Sequence, residues 1–330
     1  MRCDWLVTSG SQATASGLDD GMTIGIACVG DDPVAAVTAA VLGAELAGRG
    51  AIGGFAVLAV LDAAGEFHHI GVQTGGVSAL VIPPAWASAK VAALISSGPD
   101  RPEPLIQFLP GKSGHGLVTG HRLPNTIGAD GIALNIAALR LIETGRAPQD
   151  AVDDVLQSAL EADAGLIAVN SGGTIGFANS ARVARRPDLG AADRLEHGRG
   201  YALLHNSIFG NVASCAALAP ILGDLAWASL TNTPGDHALV RLEQPVPLHA
   251  SDCDRVQIDD EDRIVAIESA NPALFAATDA SRTVAAAPTM IVRDGQRVGA
   301  AMTDLYARIA DGSAHPLERR VDRTVLMRRQ

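Results

Sequence analysis

Met22 is followed directly by Thr23, at the head of the run MTIGIACVG. Translation from Met22 with loss of the methionine, or autocleavage before Thr23, would leave Thr23 with a free α-amine. Such a threonine carries its own general base. The amine's ordinary pKa, about 8, suits it to take the hydroxyl proton at neutral pH, and a threonine beside its own amine is an established activated nucleophile. The plainer reading of the residues alone makes Thr23 the first position of an ordinary strand, because a Met-Thr pair is too short to be specific.

A second cluster lies at Ser113–Asn125, SGHGLVTGHRLPN. His115, His121, Arg122 and Asn125 sit among glycines, where a loop on a rigid scaffold can carry function. Arg122 suits a substrate carboxylate or carbonyl, His121 would line the same site, and Asn125 could donate to an oxyanion. Ordinary turn chemistry after Pro124 accounts for Asn125 equally well. His115 and His121 have no recognised metal-ligand spacing and no adjacent acid, so no metal is expected. A His-dependent or metal-dependent enzyme using the His115–Asn125 loop stays open as an alternative. Gln73-Thr74-Gly75-Gly76 ends a strand with amides available, either for an oxyanion hole or for a tight turn. Gly48-Arg49-Gly50-Ala51-Ile52-Gly53 matches the dinucleotide pattern, but a helix precedes it and a strand follows. That order is the reverse of what phosphate binding at a helix N-terminus needs. The loop reads as a helix cap, with Arg49 left to face a substrate carboxylate. Cys28 reads as a small buried residue, and His205-Asn206-Ser207 as the cap of a helix start.

These groups need elements to hold them. Residues 1–21 are polar and aperiodic and read as an extension upstream of the ordered chain. Asp31-Asp32-Pro33 starts a helix that runs to Gly48. Phe55–Leu61 and His69–Gln73 form a hairpin around Gly65, followed by a strand at Val77–Ile82 and a helix at Ala85–Ser97. Gly98–Pro110, with four prolines, reads as a surface connector. A short strand at Leu117–Thr119 precedes a helix at Asp130–Thr144 and another from Ala147 to about Glu161. Leu166–Val169 and Thr174–Ala178 make a second hairpin. Residues 179–200 read as loop, His205–Leu230 as mainly helical, and the rest as hairpins with a charged, peripheral last thirty residues. Strands fall in adjacent pairs, which favours antiparallel or mixed sheets between helices over a doubly wound parallel sheet. The expected division is a core over 22–215 and an appended C-terminal part over 216–330.

Composition narrows the function. Hydrophobic residues make up 48% and charged residues 18%, as in a packed globular chain. Aromatics at 3% leave little for stacking on bases, and a net charge of −11 without a basic stripe argues against nucleic acid and anionic membranes as partners. The four cysteines are scattered, with no CxxC, which suits reduced thiols in a cytoplasm. No apolar run reaches the roughly 18 residues of a membrane span. The partner expected is a small-molecule substrate, with no cofactor.

MTIGIACVG with its following helix and hairpin resembles the opening of N-terminal-nucleophile (Ntn) hydrolases, whose mature chains begin with Thr, Ser or Cys at the start of a buried strand. It is similar to a group of uncharacterised bacterial Ntn-like proteins that begin Met-Thr. The stretch IALNIAALRLIETGRAPQDAVDDVLQSALEADAGLIAVNSGGTIGFANS resembles isoaspartyl peptidases and type-2 asparaginases. Those enzymes place the catalytic Thr after a Gly in mid-chain, whereas here Gly173-Thr174 falls after the matching motif. Only the fold class therefore carries over from them. The resemblance implies an α/β (α+β) chain with an Ntn-type αββα sandwich. It also implies an amidohydrolase using Thr23 on a small amide, and it allows a homo-oligomer. A non-catalytic small-molecule-binding protein on the same fold is the alternative.

Overall fold

A computed structural model describes residues 21–98, 100–210, 212–276 and 279–330; residues 1–20 lie outside it, so the reading of an N-terminal extension has no counterpart here. The chain is a mixed α and β protein in which strands predominate. Its first part runs β1 (Thr23–Val29), α1 (Pro33–Ala47), β2 (Ala56–Leu61), β3 (Phe67–Val72), β4 (Val91–Ser97), β5 (Gly111–Lys112), β6 (Gly116–Arg122), α2 (Leu134–Glu143), α3 (Pro148–Gln157), β7 (Ala164–Asn170), β8 (Ile175–Asn179), α4 (Ala181–Ala184), β9 (Leu189–Glu196), β10 (Arg199–Asn206) and α5 (Cys215–Thr231).

Two antiparallel sheets form, ordered β3-β2-β4-β1-β10-β9 and β5-β6-β7-β8. In β1 alternate side chains go to opposite faces. Ile24, Ile26 and Cys28 enter a core shared with α1 and α5. Ala27 and Val29 enter a second core, shared with Leu117 of β6 and Ile167 and Val169 of β7. The outer face of the smaller sheet is covered by α2 and α3, through Leu139, Val152 and Val155 among others. Thus β1 is central, and apolar residues cover both its faces.

Local chemistry explains several boundaries. Asp32 accepts a hydrogen bond from the Ala35 amide (3.1 Å) at the start of α1, with Pro33 in the first turn. Gly65, at φ +80°, turns the β2–β3 hairpin. Elsewhere the sequence expectations fail. Ala85–Ser97 is not a helix: a 3-10 turn at Pro84–Ser88 leads into β4, which pairs with both β1 and β2. Val77–Ile82 begins in a 3-10 turn rather than a strand. Residues 179–200 hold α4 and β9, and His205 ends a strand rather than beginning a helix. The apolar runs among these segments are short and carry no period that separates a doubly buried strand from a buried helix, and residues 179–200 are polar and Arg-rich.

The second part comprises β11 (His237–Arg241), β12 (Val246–Ala250), β13 (Arg255–Ile258), β14 (Ile264–Ser269), α6 (Pro272–Phe275), β15 (Ala280–Ala285), β16 (Met290–Arg293), β17 (Gln296–Ala301), β18 (Leu305–Ala310), β19 (Ser313–Pro316) and β20 (Thr324–Arg329). They make one ten-stranded mixed sheet around a core of their own. Because α5 packs on α1, the first part extends through residue 231 rather than ending at 215. The last thirty residues are not peripheral. Val325 and Met327 of β20 enter the second core while Leu326 enters the first, so a single strand belongs to both.

Candidate functional site

Thr23 lies at one end of the central strand, 2% exposed, paired with Ser97 on one side and Asn206 on the other. Its hydroxyl donates to the Gly21 carbonyl (3.2 Å). The same carbonyl oxygen accepts from Asn206 Nδ2 (3.1 Å). Two donors on neighbouring strands therefore converge on one carbonyl oxygen.

The second sheet contributes His121, and glycines explain how it reaches. A Cβ at Gly25 of β1 would collide with the Gly120 carbonyl of β6, so the two backbones touch here only because Gly25 has no side chain. His121 Nδ1 meets Asn206 Oδ1 (3.2 Å) and Nε2 meets Asn179 Oδ1 (2.7 Å), the ring crossing Gly165 of β7, where a Cβ would strike both side chains. Burial pulls the His121 pKa below its ordinary value, against the raising effect of the two asparagines. A neutral ring has one N–H. Asn206 spends Nδ2 on Gly21 and Ser207, so its Oδ1 faces the ring and the proton belongs on Nδ1. Asn179 then turns its NH2 toward Nε2, an assignment made from the network, since amide O and N are distinguished only by their partners.

Polar support surrounds this centre. Ser207 hydrogen-bonds Asp188, which Arg186 grips through two nitrogens (2.9 and 2.7 Å). Burial raises the Asp188 pKa, but the hydrogen bonds from Arg186 and Ser207 outweigh it and hold the carboxylate below its usual range. Ser207 and Arg122 both adopt left-handed backbone, at φ +54° and +61°. For non-glycine residues that is a strained conformation, tolerated where surrounding bonds over-determine it. Arg101 Nε donates to Ser97 Oγ (2.8 Å), and its guanidinium presses on Gly21 so closely that a Cβ there would lie 2.7 Å from Nη2. Among the described residues no carboxylate forms an ion pair with Arg101.

Of the residues singled out from sequence, Thr23 and His121 come together through Asn206. Gln73 stands one step away: its amide binds the Arg101 carbonyl (2.6 Å) and amide (3.2 Å) and so shapes the loop that carries Arg101. The others are employed elsewhere. Arg122 is clamped to Asp163 (2.9 and 2.6 Å). Asn125 donates to Gln107 (2.9 Å) and fastens a loop. Arg49 binds Asp322 (2.9 Å) and the Asp304 carbonyl (3.1 Å) and lies over the Tyr306 ring, joining the two parts of the chain rather than facing a substrate. Thr74 is exposed and Gly75 precedes a 3-10 turn. The amides that follow, Gly76 and Val77, are taken by the Gly54 carbonyl and Glu45, leaving no oxyanion hole at that turn. Of the glycine loop after α1, Gly53 lies against the Glu45 carboxyl. His115 and His121 sit near opposite ends of one strand, roughly 20 Å apart at about 3.3 Å per residue. No group of three or more metal-ligating side chains occurs among the described residues.

Sequence reasoning missed Asn206, Ser97, Arg101, Asn179 and Asp188. Ser97 was hidden by reading its strand as helix, Asn206 by reading it as part of a helix cap, and Arg101 by reading its proline-rich segment as a connector. Only strand pairing brings them to Thr23. No helix among the described residues is long and apolar enough to cross a membrane.

No curated protein matches the chain. A family model described as a domain of unknown function (DUF7259) matches residues 245–320, within the second sheet. Another, described as a domain of unknown function (DUF6963), matches residues 23–239, well over half of the 330 residues. The chain belongs to the DUF6963 family.

Proposed function

We propose that the chain is an Ntn-type amidohydrolase whose nucleophile is Thr23, unmasked by loss of the residues before it. The observation that carries this reading is the convergence of the Thr23 hydroxyl and Asn206 Nδ2 on the carbonyl oxygen of Gly21, at the head of a central, doubly buried strand. The order of layers, helices on sheet on sheet on helices, supports an αββα sandwich of Ntn type, and the family match opens at Thr23 itself.

In the intact chain the Thr23 nitrogen is an amide and cannot act as a base. Once the Met22–Thr23 bond is broken, Gly21 departs and the space it held is faced by Thr23, Asn206 and Arg101. The free amine takes the hydroxyl proton, and Oγ1 attacks the carbonyl carbon of a small amide. Asn206 Nδ2 donates to the oxygen as it gains charge. The C–N bond breaks, the ammonium returns its proton to the leaving amine, and water hydrolyses the Thr23 ester. His121, neutral and held on two sides, positions Asn206. Arg101 anchors a carboxylate on the substrate.

A second reading, a binding protein without catalysis, is favoured by one fact: with Met22 attached, Thr23 is 2% exposed and its amine is blocked. Intact mass and N-terminal sequencing of the purified protein separate the two. A chain beginning at Thr23, which hydrolyses N-acyl amino acids and loses that activity in Thr23→Ala, is the expected result. A protein that retains Met22 in every preparation overturns the nucleophile and leaves the binding reading.

A further inference from the structure

A cleft of about 670 Å³ lies away from Thr23, between the first turns of α1 and the end of α5 on one side and the second sheet on the other. Its second-sheet wall carries Arg241, Arg293, Arg320 and Arg329. Their neutralisation is incomplete. Arg293 and Arg329 share a single close carboxylate, Asp262 (2.7 and 2.6 Å), with Asp260 at 3.6 Å from Arg293 and almost wholly exposed. Arg241 lies 3.1 Å from Glu243, yet its Nε is buried and not aligned for a hydrogen bond; the Arg329 Nε is likewise buried without a partner. Arg320 has no ion pair with any described carboxylate. Its burial, together with the charges of Arg323 and Arg241, depresses its pKa, while Glu243 and Glu45 offset this only in part. The acids on the cleft do not cancel it: Asp32 caps α1, and Glu261 is bound by Arg263 (2.9 Å). On the facing wall Thr38 is 7% exposed and buries a hydroxyl that has no hydrogen-bond partner.

An under-neutralised guanidinium and an unsatisfied buried hydroxyl on opposite walls of one cleft are each costly unless something joins them. We propose that this cleft binds a small molecule through an oxyanion group, a phosphate or a carboxylate, received by the fork of Arg320 with Arg241 beside it, and with Thr38 donating from α1. The volume falls within the range of small-molecule sites and exceeds what a lone ion needs. The guanidinium fork matches two oxygens of such a group at once. The site is independent of the Thr23 chemistry, since β1 begins at Thr23 while the cleft opens where α1 begins, beyond the other end of that strand.

The test is isothermal titration of the full chain with inorganic pyrophosphate and, separately, with citrate, at constant ionic strength. One saturable site with a Kd below about 1 mM for at least one probe is expected. The preferred probe then assigns phosphate or carboxylate as the group. Arg320→Gln is expected to weaken binding at least tenfold, Arg320→Lys less, and Thr38→Val a few-fold. Absence of saturable binding by the wild-type chain to either probe overturns the proposal. So does an Arg320→Gln or Thr38→Val protein, folded by circular dichroism, that binds as tightly as wild type. If Arg320→Gln does not fold, the wild-type titration and Thr38→Val decide alone.

Discussion

His205 offers the most quantitative prediction. It lies on β10, fully buried, with the Cys215 backbone and the His121 ring nearby but no hydrogen bond of good geometry to either ring nitrogen. Burial pulls its pKa from the ordinary 6.5 to about 4. A folded pKa below the unfolded one means that the unfolded chain takes up a proton the folded chain refuses. Stability contributed by the neutral ring is therefore present above pH 6.5 and lost as pH falls toward 4. At about 1.36 kcal/mol per pH unit, the full loss is about 3 kcal/mol, and about 2 kcal/mol of it falls between pH 7 and 4.5. His205→Leu removes the titrating group without stranding a partner, so it should cost little at pH 7. Its stability relative to wild type should then rise by about 2 kcal/mol as pH is lowered from 7 to 4.5. Urea unfolding followed by tryptophan fluorescence is the assay, because Trp86 and Trp227 both lie in the part that holds His205. The difference between two proteins at each pH isolates His205 from the other titrating groups. A stability difference that stays constant within about 0.5 kcal/mol over that range would refute the reasoning, since a neutral buried ring cannot leave the slope unchanged.

Three further outcomes follow from the same geometry. Glu45 is the mirror case: burial raises its pKa to about 7 despite hydrogen bonds from the Val77 amide and Ser96. Its contribution is complete below pH 4.5 and lost as pH rises through 7. Glu45→Gln should therefore remove a loss of about 3 kcal/mol between pH 5 and 8, and an unchanged alkaline limb in urea unfolding would contradict this. Gly25→Ala forces a methyl into the Gly120 carbonyl and must push the sheets apart, costing about 1–3 kcal/mol or more. A melting midpoint within 2 °C of wild type, roughly the effect of 1 kcal/mol or less, would show that the sheets do not touch there. Arg49→Ala removes the partly buried Asp322 pair and the stacking on Tyr306, together about 1–2 kcal/mol of the joint between the two parts. Faster proteolysis of the 232–236 link is the expected readout, and an unchanged cleavage rate would remove Arg49 as a tether.

Much of the fold was legible where local chemistry speaks alone. The start of α1 at Asp32-Pro33, the Gly65 hairpin and the β7–β8 hairpin stand where turn and cap residues put them. So does the order of helix, glycine loop and strand around Gly48–Gly53. The failures share one cause. Both β4 and β10 lie inside their sheet with apolar residues on both faces, so VAALISS and YALLHN show no alternation; the first was read as helix, and the second was passed over between a loop and a helix placed from His205.

The site divides along the same line. Thr23, a hydroxyl at the head of a strand directly after Met22, was visible in the sequence because that placement depends only on its own neighbours in the chain. His121 was visible as a polar residue among glycines, though not what it touches. Asn206, Ser97 and Arg101 stand 183, 74 and 78 positions from Thr23 by their numbers, and nothing local marks them. Strand pairing sets Ser97 and Asn206 on either side of Thr23, and the loop held by Gln73 brings Arg101 against Ser97 and Gly21. The contact of Gly25 with Gly120 lets the second sheet come close enough for His121 to reach Asn206. The sequence determined which groups were available and where turns must fall; only the tertiary structure decided which of them meet, because backbone pairing and sheet separation are set by contacts between distant segments.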